Sequence, residues 1–203
     1  RLRLSIYGGK KEDQEARIDA RIRSLKAILG DIIYSEKDDT LQDCIGRMLA
    51  DKGKTLSAAE SCTGGTISAL MTSVPGSSAY YLGSVTSYAN SVKTGTLGVP
   101  PEIIGKYGAV SSECVAAMAE GVRKLTGSDY SVATSGIAGP GGGSEDKPVG
   151  LVWIGVSSGK GTETFKAIFI GDRKRNIERF AATALNYLRV KIVNEVNTLQ
   201  IKQ

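Results

Sequence analysis

Four short stretches of this 203-residue chain combine reactive or ionic side chains with glycine. In Ala59-Glu60-Ser61-Cys62-Thr63-Gly64-Gly65-Thr66, a small apolar strand runs into hydroxyl and thiol groups and two glycines ahead of a helix. Ser61, Cys62 and Thr63 are all candidate nucleophiles, and the N–H groups of a helix start favour an oxyanion or a phosphate. In the second stretch, residues 83–93, a strand delivers Tyr88 at its end and Lys93 follows five residues later. A helix beginning near Asn90 places Lys93 in its first turn. The chain has no histidine, which removes Ser-His-Asp and Cys-His hydrolases and every imidazole zinc site. A serine then needs another base, and a partly buried lysine of lowered pKa can serve. A tyrosine beside it can relay the proton. Cys62 has no histidine to deprotonate it, although a helix start lowers a thiol pKa.

The third stretch, residues 134–144, places five glycines within residues 136–143 straight after a strand. Such a loop lets the backbone approach a ligand closely. It carries neither the P-loop nor the dinucleotide fingerprint. In the fourth, Gly171-Asp172-Arg173-Lys174-Arg175, Asp172 is a candidate N-cap and the arginines sit where a phosphate would meet guanidinium and backbone donors together. Each stretch also has a plainer reading: a cap, a solvated lysine, a flexible loop, a surface ion pair.

The elements that must position these residues follow from patterning. Residues 1–40 hold 17 of the 47 charged residues, so composition changes near position 40. Ahead of that point the pattern predicts a strand at 2–7, a helix with Ile18, Ile22, Leu25 and Leu29 on one stripe, and a strand at 31–34. Residues 36–39 read as a linker. Beyond it the pattern predicts helices at 41–52, 63–73, 90–97, 101–106, 112–126 and 173–195. Strands are predicted at 55–59, 80–88, 129–135, 149–157 and 162–170, the last two forming a hairpin. Alternating elements imply an α/β fold, a three-layer α/β/α domain whose hairpin makes the sheet mixed. The first 39 residues read as a fragment of a small α+β module, and a chain opening on Arg1 reads as cut from a longer polypeptide.

Hydrophobic residues at 41% and charged residues at 23% exclude wholesale disorder. The apolar runs fall short of the ~20 residues a membrane span needs, and no signal-peptide pattern opens the chain. Three widely spaced cysteines, 44, 62 and 114, read as reduced thiols of a cytoplasmic protein. The +5 net charge is scattered, which suits a small anionic substrate better than nucleic acid.

The segments ESCTGG, TSYANSVK, GAVSSE, SGIAGPGGGSEDKPVG and GDR stand in the order and spacing of the CinA C-terminal domain. Over residues 40–195 the chain resembles that family, the nicotinamide-nucleotide amidohydrolase (NMN deamidase) group. Residues 1–39 resemble the end of the KH-like module that precedes it in full-length CinA proteins, where a MoaB/MogA-like domain comes first. The resemblance implies metal-independent hydrolysis of the carboxamide of nicotinamide mononucleotide (NMN), without a cofactor, by a Ser–Lys–Tyr arrangement. It makes Ser61 the nucleophile, Lys93 the general base and Tyr88 its relay partner. Backbone N–H groups near Thr63, Gly64 and Gly65 would form the oxyanion hole, and Asn90, Ser135, Gly136 and Arg173 would hold the nucleotide. A homo-oligomer is implied as well, with neither nucleic acid nor membrane as partner. Two rival readings stay open: a nucleotide-binding regulatory module with little turnover, and an amidase on another pyridine substrate using Cys62.

Overall fold

The computed structural model of the chain describes residues 2–200, except for the side chains of residues 31 and 196–200. It divides into two compact units, Arg1–Asp39 and Thr40–Gln203. In the first unit one helix dominates, α1 (Lys11–Leu29). Ile18, Ile22, Leu25 and Leu29 form its half-buried face, the stripe that the spacing predicts. The strands predicted at 2–7 and 31–34 are not there. Residues 2–7 pair with nothing as a ladder, and residues 30–32 form a short 3₁₀ turn. Apolar alternation makes a segment fit for a strand, but only a hydrogen-bonded partner makes it one.

The second unit opens on a reciprocal cap. The Thr40 hydroxyl accepts from the Asp43 N–H while the Asp43 carboxylate accepts from the Thr40 N–H, starting α2 (Leu41–Ala50). Then come β1 (Leu56–Glu60), α3 (Thr66–Thr72), β2 (Tyr81–Thr86), α4 (Asn90–Gly95), α5 (Pro101–Tyr107), α6 (Ser112–Thr126) and β3 (Tyr130–Gly136). A hairpin of β4 (Leu151–Ser158) and β5 (Gly161–Ile168) follows, and then α7 (Arg173–Gln200). The sheet order is β2-β1-β3-β4-β5. Strands β1, β2 and β3 run parallel, and β4 and β5 are antiparallel to their neighbours.

Helices cover both faces, as a three-layer α/β/α domain requires. Alternate residues of one strand therefore enter different cores: Ala58 and Val132 join α2, α3 and α7, whereas Ala59 and Ala133 join α6. The first core is large, with Ile45, Leu49, Ile67, Met71, Phe180, Leu185 and Leu188 fully or almost fully buried. On the second face α6 lies close to the sheet. Gly155 of β4 permits this, because a Cβ there would strike the Val115 carbonyl. From β1 the chain crosses to β2 through α3 on one face. It returns from β2 to β3 through α4, α5 and α6, passing over the α6 face. That reversal opens a crevice at the carboxyl ends of the parallel strands, the usual ligand site of such sheets.

Candidate active site

At the end of β1, Ser61 continues the ladder by donating its N–H to the Thr134 carbonyl at 3.0 Å, and then the chain turns. At the end of β2, Ser87 donates to the Glu60 carbonyl at 2.8 Å, and Tyr88 and Ala89 lead into α4. The first turn of α4 folds Lys93 back beneath these two strand ends, where it is 1% exposed. Its Nζ lies 3.2 Å from Ser61 Oγ and donates to the Ser87 carbonyl at 2.7 Å and to the Tyr88 carbonyl at 3.3 Å, which leaves a neutral amine its lone pair for the hydroxyl. Burial lowers the Lys93 pKa from its ordinary 10.5, partly opposed by the neighbouring Cys114 and Cys62 thiols. An amine held this way is a credible neutral base for the hydroxyl beside it.

Cys62 is 6% exposed and also borders the crevice. Burial dominates its titration and pushes its thiol up to about 12. Of the two adjacent candidate nucleophiles, the serine has a buried amine beside it, and burial favours the protonated form of the cysteine.

The oxyanion hole expected around Thr63, Gly64 and Gly65 needs correction. Gly64 donates to the Ser61 carbonyl at 3.2 Å. The N–H groups of Gly65, Ile67 and Ser68 all go to the carboxylate of Glu60, at 2.9–3.0 Å. The hydroxyls of Thr63 and Ser68 donate to it too, at 2.7 and 2.6 Å. Glu60 is 0% exposed. A buried carboxylate must collect such donors, and this one uses up the start of α3. None of Thr63, Gly64 and Gly65 lines the crevice. Cys62 does, and among the described hydrogen bonds no oxygen accepts from its N–H.

Tyr88 is 63% exposed, and its phenol accepts from Arg173 Nη2 at 3.1 Å. Its contact with Lys93 runs through the backbone carbonyl instead of the expected phenol. Arg173 Nη1 donates to the Gly139 carbonyl at 2.7 Å, so the first residue of α7 ties the glycine-rich loop to Tyr88. Asn176, one turn on, holds the same loop through the Ala138 carbonyl at 3.1 Å. Asp172 caps α7 through the Arg175 N–H at 2.9 Å.

The crevice encloses about 190 Å³ and gathers Ser61, Lys93, Tyr88, Asn90, Ser135, Gly136 and Arg173 on its walls. Ser135 is fixed by donating to the Ala109 carbonyl at 2.7 Å. Gly136 has no room for a side chain: a Cβ would strike the Leu151 carbonyl and come within 2.9 Å of Val152 Cα and 3.2 Å of Cys62 Sγ. Among the described residues, no three Cys, Asp or Glu side chains converge as a metal site would need. No helix among them is long and apolar enough to cross a membrane. Sequence reasoning missed Glu60, although its place one residue before Ser61 was in view.

The chain matches the family described as the CinA C-terminal domain over residues 38–192. A CinA-like protein of Endomicrobium trichonymphae is 48% identical over 196 residues, covering 95% of this chain and 45% of its own. One from Desulfotalea psychrophila is 45% identical over 195 residues, covering 96% and 47%. This chain thus spans slightly less than half the length of these relatives. Among solved structures, competence damage-inducible protein A from Klebsiella pneumoniae superposes with a TM-score of 0.73 at 34% identity, over 75% of this chain and 95% of that one. Competence/damage inducible protein CihA from Agrobacterium tumefaciens gives 0.73 at 36% identity, over 74% and 92%. The match runs through every element that builds the crevice, and the chain belongs to the CinA C-terminal domain family.

Proposed function

We propose that this domain hydrolyses the carboxamide of NMN to nicotinate mononucleotide and ammonia. The observation that carries the reading is the buried Lys93 amine, 3.2 Å from Ser61 Oγ on the wall of a polar crevice. Neutral Lys93 takes the Ser61 proton as Oγ attacks the carboxamide carbon. The oxyanion so formed falls to the Cys62 N–H, the donor next to the nucleophile. The Lys93 ammonium returns its proton to the departing nitrogen, the C–N bond breaks, and ammonia leaves an acyl-Ser61 ester. Water then attacks the ester carbon and gives a proton to Lys93, which passes it to Ser61 Oγ as the ester C–O bond breaks and the acid is released.

The Ser87 and Tyr88 carbonyls hold Lys93 in place through this cycle. The Tyr88 phenol, paired with Arg173 at the mouth, orders the guanidinium that faces the substrate phosphate. Asn90, Ser135 and Gly136 border the nucleotide. Three buried cysteine thiols suit a reducing, cytoplasmic setting.

A coupled ammonia assay with NMN, NAD and free nicotinamide tests the proposal. Release from NMN that vanishes in Ser61→Ala is expected. No release from NMN refutes it and leaves a binding module.

A further inference from the structure

Glu60 closes β1 with an ionisable side chain that is 0% exposed. Among the described residues no lysine or arginine forms an ion pair with it. A buried carboxylate without a cation costs stability, and a well-packed apolar residue would end the strand more cheaply. What that carboxylate holds in place therefore bears on why it is there.

Its side chain grips the chain just downstream of Ser61. Oε2 accepts from the Thr63 hydroxyl at 2.7 Å and from the Gly65 and Ile67 N–H groups, both at 3.0 Å. Oε1 accepts from the Ser68 N–H at 2.9 Å and the Ser68 hydroxyl at 2.6 Å. Only a carboxylate meets this set, because backbone N–H groups approach both oxygens. A glutamine would turn its NH₂ against one of them.

The main chain of the same residue grips the other wall. The Glu60 carbonyl accepts from the Ser87 N–H at 2.8 Å, and the Ser87 carbonyl accepts from Lys93 Nζ at 2.7 Å. Ser61 lies between the two holds, with its own N–H fixed to the Thr134 carbonyl at 3.0 Å. Ser61 is thus bonded directly to Glu60, and Lys93 reaches Glu60 through Ser87 alone. The 3.2 Å between Ser61 Oγ and Lys93 Nζ is spanned through this one residue.

We propose that Glu60 is a positioning residue for the reaction at Ser61: its carboxylate draws residues 63–68 against the end of β1 while its carbonyl holds the Ser87–Lys93 side, and together they set the Ser61–Lys93 distance. The role rests on the reading of Ser61 and Lys93 as nucleophile and base.

The test needs no natural substrate and uses the chain as it stands. An alkyl fluorophosphonate labels an activated serine as Oγ bonds to phosphorus and fluoride leaves. Peptide mass spectrometry reads the site, and the concentration dependence separates kinact from KI. Glu60→Gln keeps the size and removes the charge. Its kinact should fall about 100-fold with KI unchanged, the effect of misplacing a catalytic group by about 1 Å. Glu60→Ala should fall as far. Formate, a carboxylate small enough for the space left, should restore much of the loss, whereas formamide, of the same shape without the charge, should not. A side chain needed only for stability would leave kinact at its wild-type value wherever circular dichroism shows a folded variant. Thr63→Val with Ser68→Ala withdraws two hydroxyls from Glu60 and keeps its charge, and so carries the test if the Glu60 variants fail to fold. There kinact should fall about tenfold, as loss of two hydrogen bonds would give. Wild-type kinact in a folded variant, a loss confined to KI, or rescue by formamide equal to that by formate overturns the role of Glu60. Labelling that survives Ser61→Ala, or that Lys93→Met leaves unchanged, overturns the nucleophile and base reading beneath it instead.

Discussion

Replacing Lys93 by methionine removes the amine and keeps most of the aliphatic stem. Its cost to stability can be worked from the contacts. The Ser87 carbonyl loses a buried donor, worth about 1–3 kcal/mol, and the part-buried Tyr88 carbonyl loses less. Removing an amine that burial penalises offsets some of this. The net change should stay within about 2 kcal/mol, or a Tm shift of about 4–8 °C for a chain of this size. Activity should respond far more, because general base catalysis is worth roughly 10²–10⁴-fold. Lys93→Arg should be as poor, since arginine does not give up its proton. The wild-type kcat/KM for NMN should rise with pH through an ionisation below 10.5 that both variants lack. Stability carries the same signature. The folded pKa lies below the unfolded one, so between the two values the unfolded chain binds more protons and stability rises with pH. Urea midpoints of wild type and Lys93→Met should therefore diverge in favour of wild type as pH climbs towards 10.5. A Lys93→Arg enzyme with substantial turnover, or a pH–rate limb that persists in Lys93→Met, refutes the base role.

Three more outcomes are expected. Ser61→Ala should cost several orders of magnitude in NMN turnover while Cys62→Ala keeps most of it, as ammonia release will show; the reverse pattern would make the thiol the nucleophile. Arg173→Ala should lower kcat/KM on NMN by about one to two orders of magnitude, as loss of a charged contact worth ~1.5–3 kcal/mol does, and spare the dephosphorylated riboside. Equal losses on both substrates would mean that Arg173 acts through Gly139 and Tyr88. Gly136→Ala should destabilise the fold by about 1–3 kcal/mol in urea unfolding, because its Cβ meets the backbone of β4 rather than a movable side chain; an unchanged midpoint would refute that packing argument.

What could be read from the sequence was whatever depends on neighbours along the chain. Ala58 and Ala59 enter opposite cores because strand geometry alternates, and the hairpin at 159–160 shows in its glycines and flanking apolar runs. Lys93 emerged because a chain without histidine leaves few bases, and five residues from Tyr88 is the reach of one helical turn. Contacts between distant segments were not legible. The Tyr88 phenol meets Arg173, 85 positions away, and nothing near Tyr88 announces it. The N-terminal segments failed in the opposite sense, since residues 2–7 alternate like a strand whether or not a partner lies beside them.

Glu60 shows the sharper limit. A carboxylate after three small or apolar residues looks like a strand ending in solvent, and the glycines beyond it look like a cradle awaiting an anion. The physics of the cradle was read correctly and its occupant was not. The anion at the start of α3 is the protein's own, delivered by the residue just before Ser61. With those donors spent, the proposed acyl transfer at Ser61 would need another donor for its oxyanion, and the Cys62 N–H is the one beside it. Under the proposed function the substrate phosphate would then fall to the guanidinium of Arg173, which lines the crevice.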